Sequence, residues 1–325
     1  MKKTTKTEPK TLQQAIRYYS DEQTCIDSFA EVRWPDGKPE CPRCNGKEHY
    51  YLATQKRWKC KACGKQFSVK VGTIFEDSPL GLDKWLMAVW MIGNCKNGVS
   101  SCEMAKDLGI TQKSAWFMLH RIRLAMQTGS FMKLGGGESE VEVDETFIGG
   151  KARNMHVDVR ERRITGTGGK DKTAVQGILE RGGKVRTIVV ANRRKKVLQD
   201  NVKAHVAAGT ALYTDALLSY DGLSQEYGHQ VIDHAEKYVE GRVHTNGLEN
   251  FWSLLKRGLN GTYVSVEPFH LFRYLDEQSF RYNNRSTKYE QIDDAQRFKQ
   301  VLSHCAGKRL TFAEVTGKAG KTTVN

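Results

Sequence analysis

Four cysteines and three acids carry the chemistry legible in this sequence. Cys41-Pro-Arg-Cys44 is followed, after fifteen intervening residues, by Cys60-Lys-Ala-Cys63. Each C-x-x-C is short enough for one turn to present two thiolates, and two such pairs supply the four ligands of a tetrahedral zinc ion. Four protein ligands leave no open position on the metal, so the expected site is structural. Gly64 stands directly after the second pair, where the turn calls for left-handed backbone. Seven lysines and arginines between Arg43 and Lys65 crowd around the pairs, either as a phosphate-contacting surface or as a solvated basic face.

The acids are Asp144 in V-E-V-D-E-T, Asp215 in Y-T-D-A, and Glu249 in a stretch running from His244, H-T-N-G-L-E-N-F-W-S-L-L-K-R. In that last stretch Leu248, Phe251, Trp252, Leu254 and Leu255 recur at the spacing that buries one stripe of a helix. Glu249 and Lys256, seven positions apart, return to nearly the same face. A plainer reading stands beside this one: Asn246 and Glu249 have the spacing of a capping box. Gathered carboxylates repel one another unless divalent cations neutralise them, and hard oxygen donors suit magnesium or manganese. Two such ions, about 4 Å apart, serve phosphodiester displacement without any nucleophilic side chain. The chain offers no Ser-His-Asp motif and no G-x-x-x-x-G-K loop that would favour other chemistry.

Helices and strands must bring these residues together. Thr11 to Val32 reads as a helix, and the cysteine pairs flank short strands of a zinc ribbon. Leu82 to Ile92 is helical; Ser101 to Leu108 and Thr111 to Met126 flank Gly109-Ile110 as a helix-turn-helix or an ordinary helical hairpin. Cys95 and Cys102 read as packing thiols. After Gly135-Gly136-Gly137 the period changes to two, and the pattern becomes three strands, helix, strand, helix, strand, helix. The acids fall on the first strand, the fourth strand and the last helix. The expected class is therefore α/β, a ribonuclease-H-like mixed five-stranded sheet flanked by helices, preceded by the ribbon and the helical region. The bounds expected are 11–80 for the first helix and ribbon, 81–134 for the helical region, 138–305 for the acid-bearing domain, and 306–325 for a partly disordered tail.

A formal net charge of +14 over 325 residues makes a polyanion the leading partner class. From Lys151 to Asp200 there are fourteen Lys and Arg against five Asp and Glu, a surplus of nine just after the Asp144 strand. No apolar run approaches the roughly 20 residues needed to span a bilayer. The basic N-terminus has no apolar segment behind it, so a cytoplasmic, nucleoid-associated protein with reduced cysteines is expected.

The ordered set C-P-R-C…C-K-A-C, V-E-V-D-E-T-F-I-G-G-K, Y-T-D-A and H-T-N-G-L-E-N-F-W-S-L-L-K-R-G resembles bacterial insertion-sequence transposases with an N-terminal zinc ribbon and a DDE catalytic domain, related to the eukaryotic Merlin elements. The resemblance spans roughly Thr11 to Thr316. It implies metal-dependent cleavage and strand transfer at terminal inverted repeats, on double-stranded DNA that is both element end and target. It implies Asp144, Asp215 and Glu249 as ligands of two Mg2+ or Mn2+ ions, with Asn246 the runner-up for the third place, and at least a homodimer on paired ends. It also implies that Lys256 contacts DNA; Arg257, Arg160, Arg162, Arg163 and Lys113 are the further DNA-contact candidates. Two alternatives remain at this stage: a zinc-ribbon DNA-binding regulator with an inert core, and a nuclease without strand transfer.

Overall fold

Side-chain oxygens punctuate the N-terminal helices. Instead of one helix from Thr11 to Val32 there are two, α1 (Leu12–Tyr18) and α2 (Glu22–Arg33), because Asp21 accepts the Thr24 N–H and starts a second helix. Of α1 only Ala15 is buried, and Leu12 and Ile16 are 42% and 53% exposed. The structure is a computed structural model and describes residues 8–127, 132–150, 155–164, 171–232, 244–288 and 290–318, with only the backbone at Arg163.

The ribbon is a three-stranded antiparallel sheet of β1 (His49–Leu52), β2 (Arg57–Cys60) and the unforeseen β3 (Gln66–Phe67). Its small core is aromatic: Trp58 stacks on Phe67 and meets the edge of Trp34. Three helices follow, α3 (Leu82–Asn94), α4 (Ser101–Leu108) and α5 (Gln112–Met126). Ser100 and Glu103 close a capping box on α4, and Thr111 caps α5, as a short helix, glycine turn and second helix require. Cys95 and Cys102 are exposed rather than packed, since Cys95 lies beyond the end of α3 and Cys102 on the outer face of α4.

The second half builds one mixed sheet. Its strands are β4 (Glu140–Ile148), β5 (Thr173–Glu180), β6 (Val185–Val190), β7 (Ala211–Asp215) and β8 (Gly228–Ile232), in the order β6-β5-β4-β7-β8. β4, β5 and β6 are antiparallel neighbours; β7 runs parallel to both β4 and β8. α6 (Val157–Arg163) lies in the basic segment after β4, and α7 (Lys195–His205) joins β6 to β7. Between β7 and β8 the chain makes two 3-10 turns, Leu218–Tyr220 and Leu223–Gln225, where a helix was expected. α8 (Asn246–Gly258) runs on through a π-helical turn, Leu259–Tyr263, and a 3-10 turn leads into α9 (Leu271–Asn283).

Period-two alternation gives this sheet two apolar faces. Val141, Val143 and Ile178 join Leu198 and Val202 of α7 on one side. Val175 and Leu179 join Leu248, Phe251, Trp252 and Leu255 of α8 on the other, with Leu271 and Leu275 of α9. Phe269 and Phe272 are 60% and 40% exposed, because α9 turns Leu271, Tyr274 and Leu275 inward.

The last helices are α10 (Asp294–Ser303) and α11 (Phe312–Val315). Phe298 of α10 packs against Trp90 of α3 and Tyr19, and Arg297 donates to Asn94. Two compact units result, Met1–Gln127 with Asn284–Asn325, and Thr128–Asn283. The acid-bearing unit thus closes at Asn283, not at 305, because the apolar stripe of α10 is buried on α3. The segment expected as a loose tail carries α11, with a Thr311–Glu314 capping box; residues 319–325 lie outside those described.

Candidate metal centres

The cysteine site repeats one local design twice. Cys41 N–H donates to the Gly46 carbonyl and Asn45 N–H to the Cys41 carbonyl; Cys60 N–H donates to Lys65 and Gly64 N–H to Cys60. The residue after each second cysteine, Asn45 and Gly64, has a positive φ of 56° and 69°, which turns each pair into a knuckle. The four sulfurs lie within 4.8 Å of one another, with Cys41–Cys63 at 3.7 Å and Cys44–Cys60 at 3.5 Å. A zinc ion with bonds of about 2.3 Å at the centre of a tetrahedron needs sulfur edges of about 3.8 Å, so the cluster fits the ion. Backbone N–H donation from Cys63, opposed by burial, pushes the Cys60 thiol down to about 7, readying it as a thiolate. Three of the surrounding cations are already paired: Lys47 with Glu40, Lys56 with Glu22, and Lys61 with Glu48.

The acid site is assembled from distant segments. Val143 on β4 and Thr214 on β7 are parallel partners, so the next residues, Asp144 in the middle of β4 and Asp215 at the end of β7, lie on neighbouring strands about 4.8 Å apart. Both face α8. One Asp144 oxygen accepts from Trp252 Nε1 at 2.9 Å, the other from the Glu145 N–H at 2.8 Å. Burial, then Asp215, then Glu249 push the Asp144 carboxyl up to about 6 against these hydrogen bonds. Asp215 accepts from Leu217 N–H at 3.3 Å. Glu249 and Asn246 are both exposed on the first turn of α8. Among the described residues only the cysteines form a group whose ligand atoms all lie within 4.8 Å; the three acids are spread wider. Two ions about 4 Å apart, each bound at 2.0–2.1 Å, are served by oxygens up to about 8 Å apart, and the all-carboxylate donor set suits hard cations.

A buried network fixes α8 to the sheet. The Thr245 side chain makes no capping hydrogen bond, and Asn246 is the first helical residue rather than the cap, so the capping-box reading of Asn246 and Glu249 does not hold. Glu142 of β4, 1% exposed, takes over by accepting the Leu248 N–H at 3.0 Å. Arg181 donates to Glu142 at 2.8 Å, to Glu140 at 3.2 Å and to the His244 carbonyl at 2.6 Å, and its guanidinium lies over the Tyr213 ring. Two glycines permit the close approach: a Cβ at Gly177 would stand 2.5 Å from Trp252, and one at Gly247 2.4 Å from Leu179. Glu249 is thus carried by a helix locked to the strand that bears Asp144.

The comparisons agree with this anatomy. Residues 133–283 match the ISXO2-like transposase domain, and residues 20–66 match the transposase zinc-ribbon domain. An uncharacterized transposase-like protein of Haemophilus influenzae is 34% identical over 106 residues, 32% of this chain and 85% of that relative. The chain belongs to the ISXO2-like transposase family. An uncharacterized protein in transposable element ISH50 of Halobacterium salinarum is 26% identical over 262 residues, 75% of this chain and 85% of the relative.

The other site candidates are dispersed along this transposase. Lys256 and Arg257 are exposed in the last turn of α8, two turns beyond Glu249. Arg160 and Arg162 are exposed on α6, where Arg162 pairs with Asp158; the Arg163 side chain lies outside the described residues. Lys113 is exposed in the first turn of α5, with its ammonium over the Phe312 ring. No helix among the described residues is long and apolar enough to cross a membrane.

Sequence reasoning missed Glu142, Glu145 and Arg181. Glu145 lies on the opposite face from Asp144, where Tyr220 donates to it; burial first, then Asp215 and Asp144, push it up to about 8. Tyr220 also accepts from Gln176, which accepts from Asn201 of α7. The signals were present: Glu142 shares a face with Asp144, and Glu145 is the one carboxylate in the stripe Val141, Val143, Phe147.

Proposed function

We propose that this protein binds the terminal inverted repeats of an insertion sequence and catalyses metal-dependent cleavage and strand transfer of DNA. The observation that carries the reading is the register of β4 and β7, which sets Asp144 beside Asp215 on adjacent parallel strands, with Glu249 in the first turn of the helix that holds Asp144 through Trp252. Asp144, Asp215 and Glu249 would hold two magnesium or manganese ions, which when bound activate the attacking oxygen and offset charge on the leaving one. Trp252 holds one Asp144 oxygen and so sets the orientation of the carboxylate. Glu142 and Arg181 set the depth of α8 and with it the height of Glu249. Lys256 and Arg257 hold phosphates of the bound strand, and Arg160, Arg162 and Arg163 add backbone contacts. The ribbon and the α4–α5 pair, with Lys113, grip the repeat, and two copies assemble on paired ends.

The test is a labelled duplex ending in the element's repeat, incubated with the protein and magnesium. Strand cleavage at the element end and joining to a second duplex are expected, and both should vanish in Asp144→Ala and Asp215→Ala while binding persists. Cleavage unchanged in both variants would overturn the reading. Cleavage without joining would reduce it to a nuclease, and binding without cleavage by the native protein would leave a regulator. Light scattering with and without the duplex reads the dimer.

A further inference from the structure

The end of the sheet beyond Asp144 on β4 carries a second feature that the proposed chemistry does not use. An open groove of about 690 Å³ runs across the ends of β4, β5 and β6, its lining including Phe147, Lys172, Thr173, Val190, Asn192 and Arg193. That volume lies within the ~300–1,000 Å³ typical of built ligand sites. Two cations line it and no carboxylate does. Phe147 is three residues past Asp144 on the same strand, about 10 Å along it. Ligands of open α/β sheets settle outside the carboxyl ends of the strands, and the groove lies at those ends of β4 and β6.

Arg193 is the distinctive member. Its guanidinium lies 4.7 Å from the centroid of the Phe147 ring, so one planar face is backed by an aromatic while the exposed side chain leaves the other toward the groove. The Arg193 carbonyl accepts from Ser219 Oγ at 2.7 Å, which anchors the backbone beneath. Arg193 begins a run of four cations, Arg193-Arg194-Lys195-Lys196, that enters α7. A helix start disfavours cations, and α7 has neither an acid in its first turn nor a side-chain cap to relieve them. A polyanion along the groove would offset that cost. A duplex keeps its bases stacked inside, whereas a planar cation backed by a ring suits the face of an unstacked base.

We propose that this groove binds the unpaired DNA strand leading away from the cleavage point, with Arg193, backed by Phe147, stacking on a base and Lys172 holding its phosphate. The inference rests on the transposase reading and adds a strand-specific site to it.

Fluorescence anisotropy on two hairpin probes tests it, identical in their paired repeat, one blunt and one with a five-nucleotide unpaired extension. Calcium replaces magnesium so that no cleavage intervenes. The extension should tighten binding by the native protein about tenfold, the scale of one or two stacked bases. Arg193→Ala should lose that gain, and Arg193→Lys, which keeps the charge but not the plane, should lose it too while binding the blunt probe within about twofold of the native protein. Equal binding of both probes by the native protein overturns the inference alone. So does a full extension gain in Arg193→Lys, or an equal loss on both probes in Arg193→Ala. Failure of the native protein to bind either probe overturns the transposase reading itself.

Discussion

The two candidate metal centres are built by opposite strategies. The cysteine site draws its ligands from two knuckles, each closed within six residues by its own backbone hydrogen bonds. The acid site draws on β4, β7 and α8, and its ligands are placed by strand register and by a carboxylate–guanidinium network around Glu142. A locally closed site depends on the ion to hold its halves together. A site assembled at long range depends on the fold, and its ligands keep their places through packing.

If that contrast is right, losing zinc ligands should be the most damaging change. Structural zinc contributes on the order of 10–16 kcal/mol to small ribbons, so Cys41→Ser with Cys44→Ser should lose the ion and unfold the ribbon, while residues 128–283 keep their thermal transition. Zinc analysis and calorimetry read this; stoichiometric zinc in the double variant would show that other ligands serve. Next in size, Asp144→Ala, Asp215→Ala and Glu249→Ala should each lower cleavage by about 10³-fold or more, a loss of several kcal/mol in transition-state stabilisation. Each should leave the fold intact. Asn246→Ala should lose less than about tenfold, and a loss as large as that of Glu249→Ala would move the third ligand to Asn246.

The network itself comes third. Arg181→Ala removes the cation paired with Glu142, 1% exposed, and with Glu140; breaking a buried pair costs about 3–5 kcal/mol. The melting point of the acid-bearing unit should fall by roughly 10 °C, with the ribbon's zinc unaffected. A melting point within a degree of the native protein would remove Arg181 from the frame. A weaker effect follows from the raised carboxyls. Asp144 moves from 3.8 up to about 6 and Glu145 from 4.5 up to about 8. Each folded value exceeds its unfolded one, so their contribution to stability is full below about pH 4. It is lost as pH rises through 6 and then 8. The ion-free protein should therefore lose stability to urea between about pH 4 and pH 8. Glu145→Gln should flatten the upper part of that slope, and a profile identical to the native one would contradict the assignment. Smallest of all, Lys256→Ala should lower the salt slope of DNA binding by about one unit.

The same contrast explains what could be read in advance. The cysteine pairs announce themselves because both ligands of a knuckle lie within one turn. The strands of the sheet were legible from alternation, nearly to their ends. Asp144 and Asp215 could be placed on strands, yet strand order alone decides that they are neighbours. The cap of α8 misled because a local pattern, Asn246 to Glu249, competed with Glu142, a partner 106 positions away from Leu248. Likewise α10 carries an apolar stripe that suits either unit, and only tertiary contact with α3 assigns it. Exposure of Phe269 and Phe272 was illegible because the spacing of an aromatic run does not say which of its members turn inward.

The start of α8 depends on a side chain from another part of the chain, and this imposes an order of events. An isolated segment from Asn246 onward lacks its own terminator at the N-terminal end, and gains one only when β4 presents Glu142. A nascent or half-folded chain therefore leaves Glu249 without a fixed address. The proposed DNA cleavage would become possible last, after the scaffold is complete.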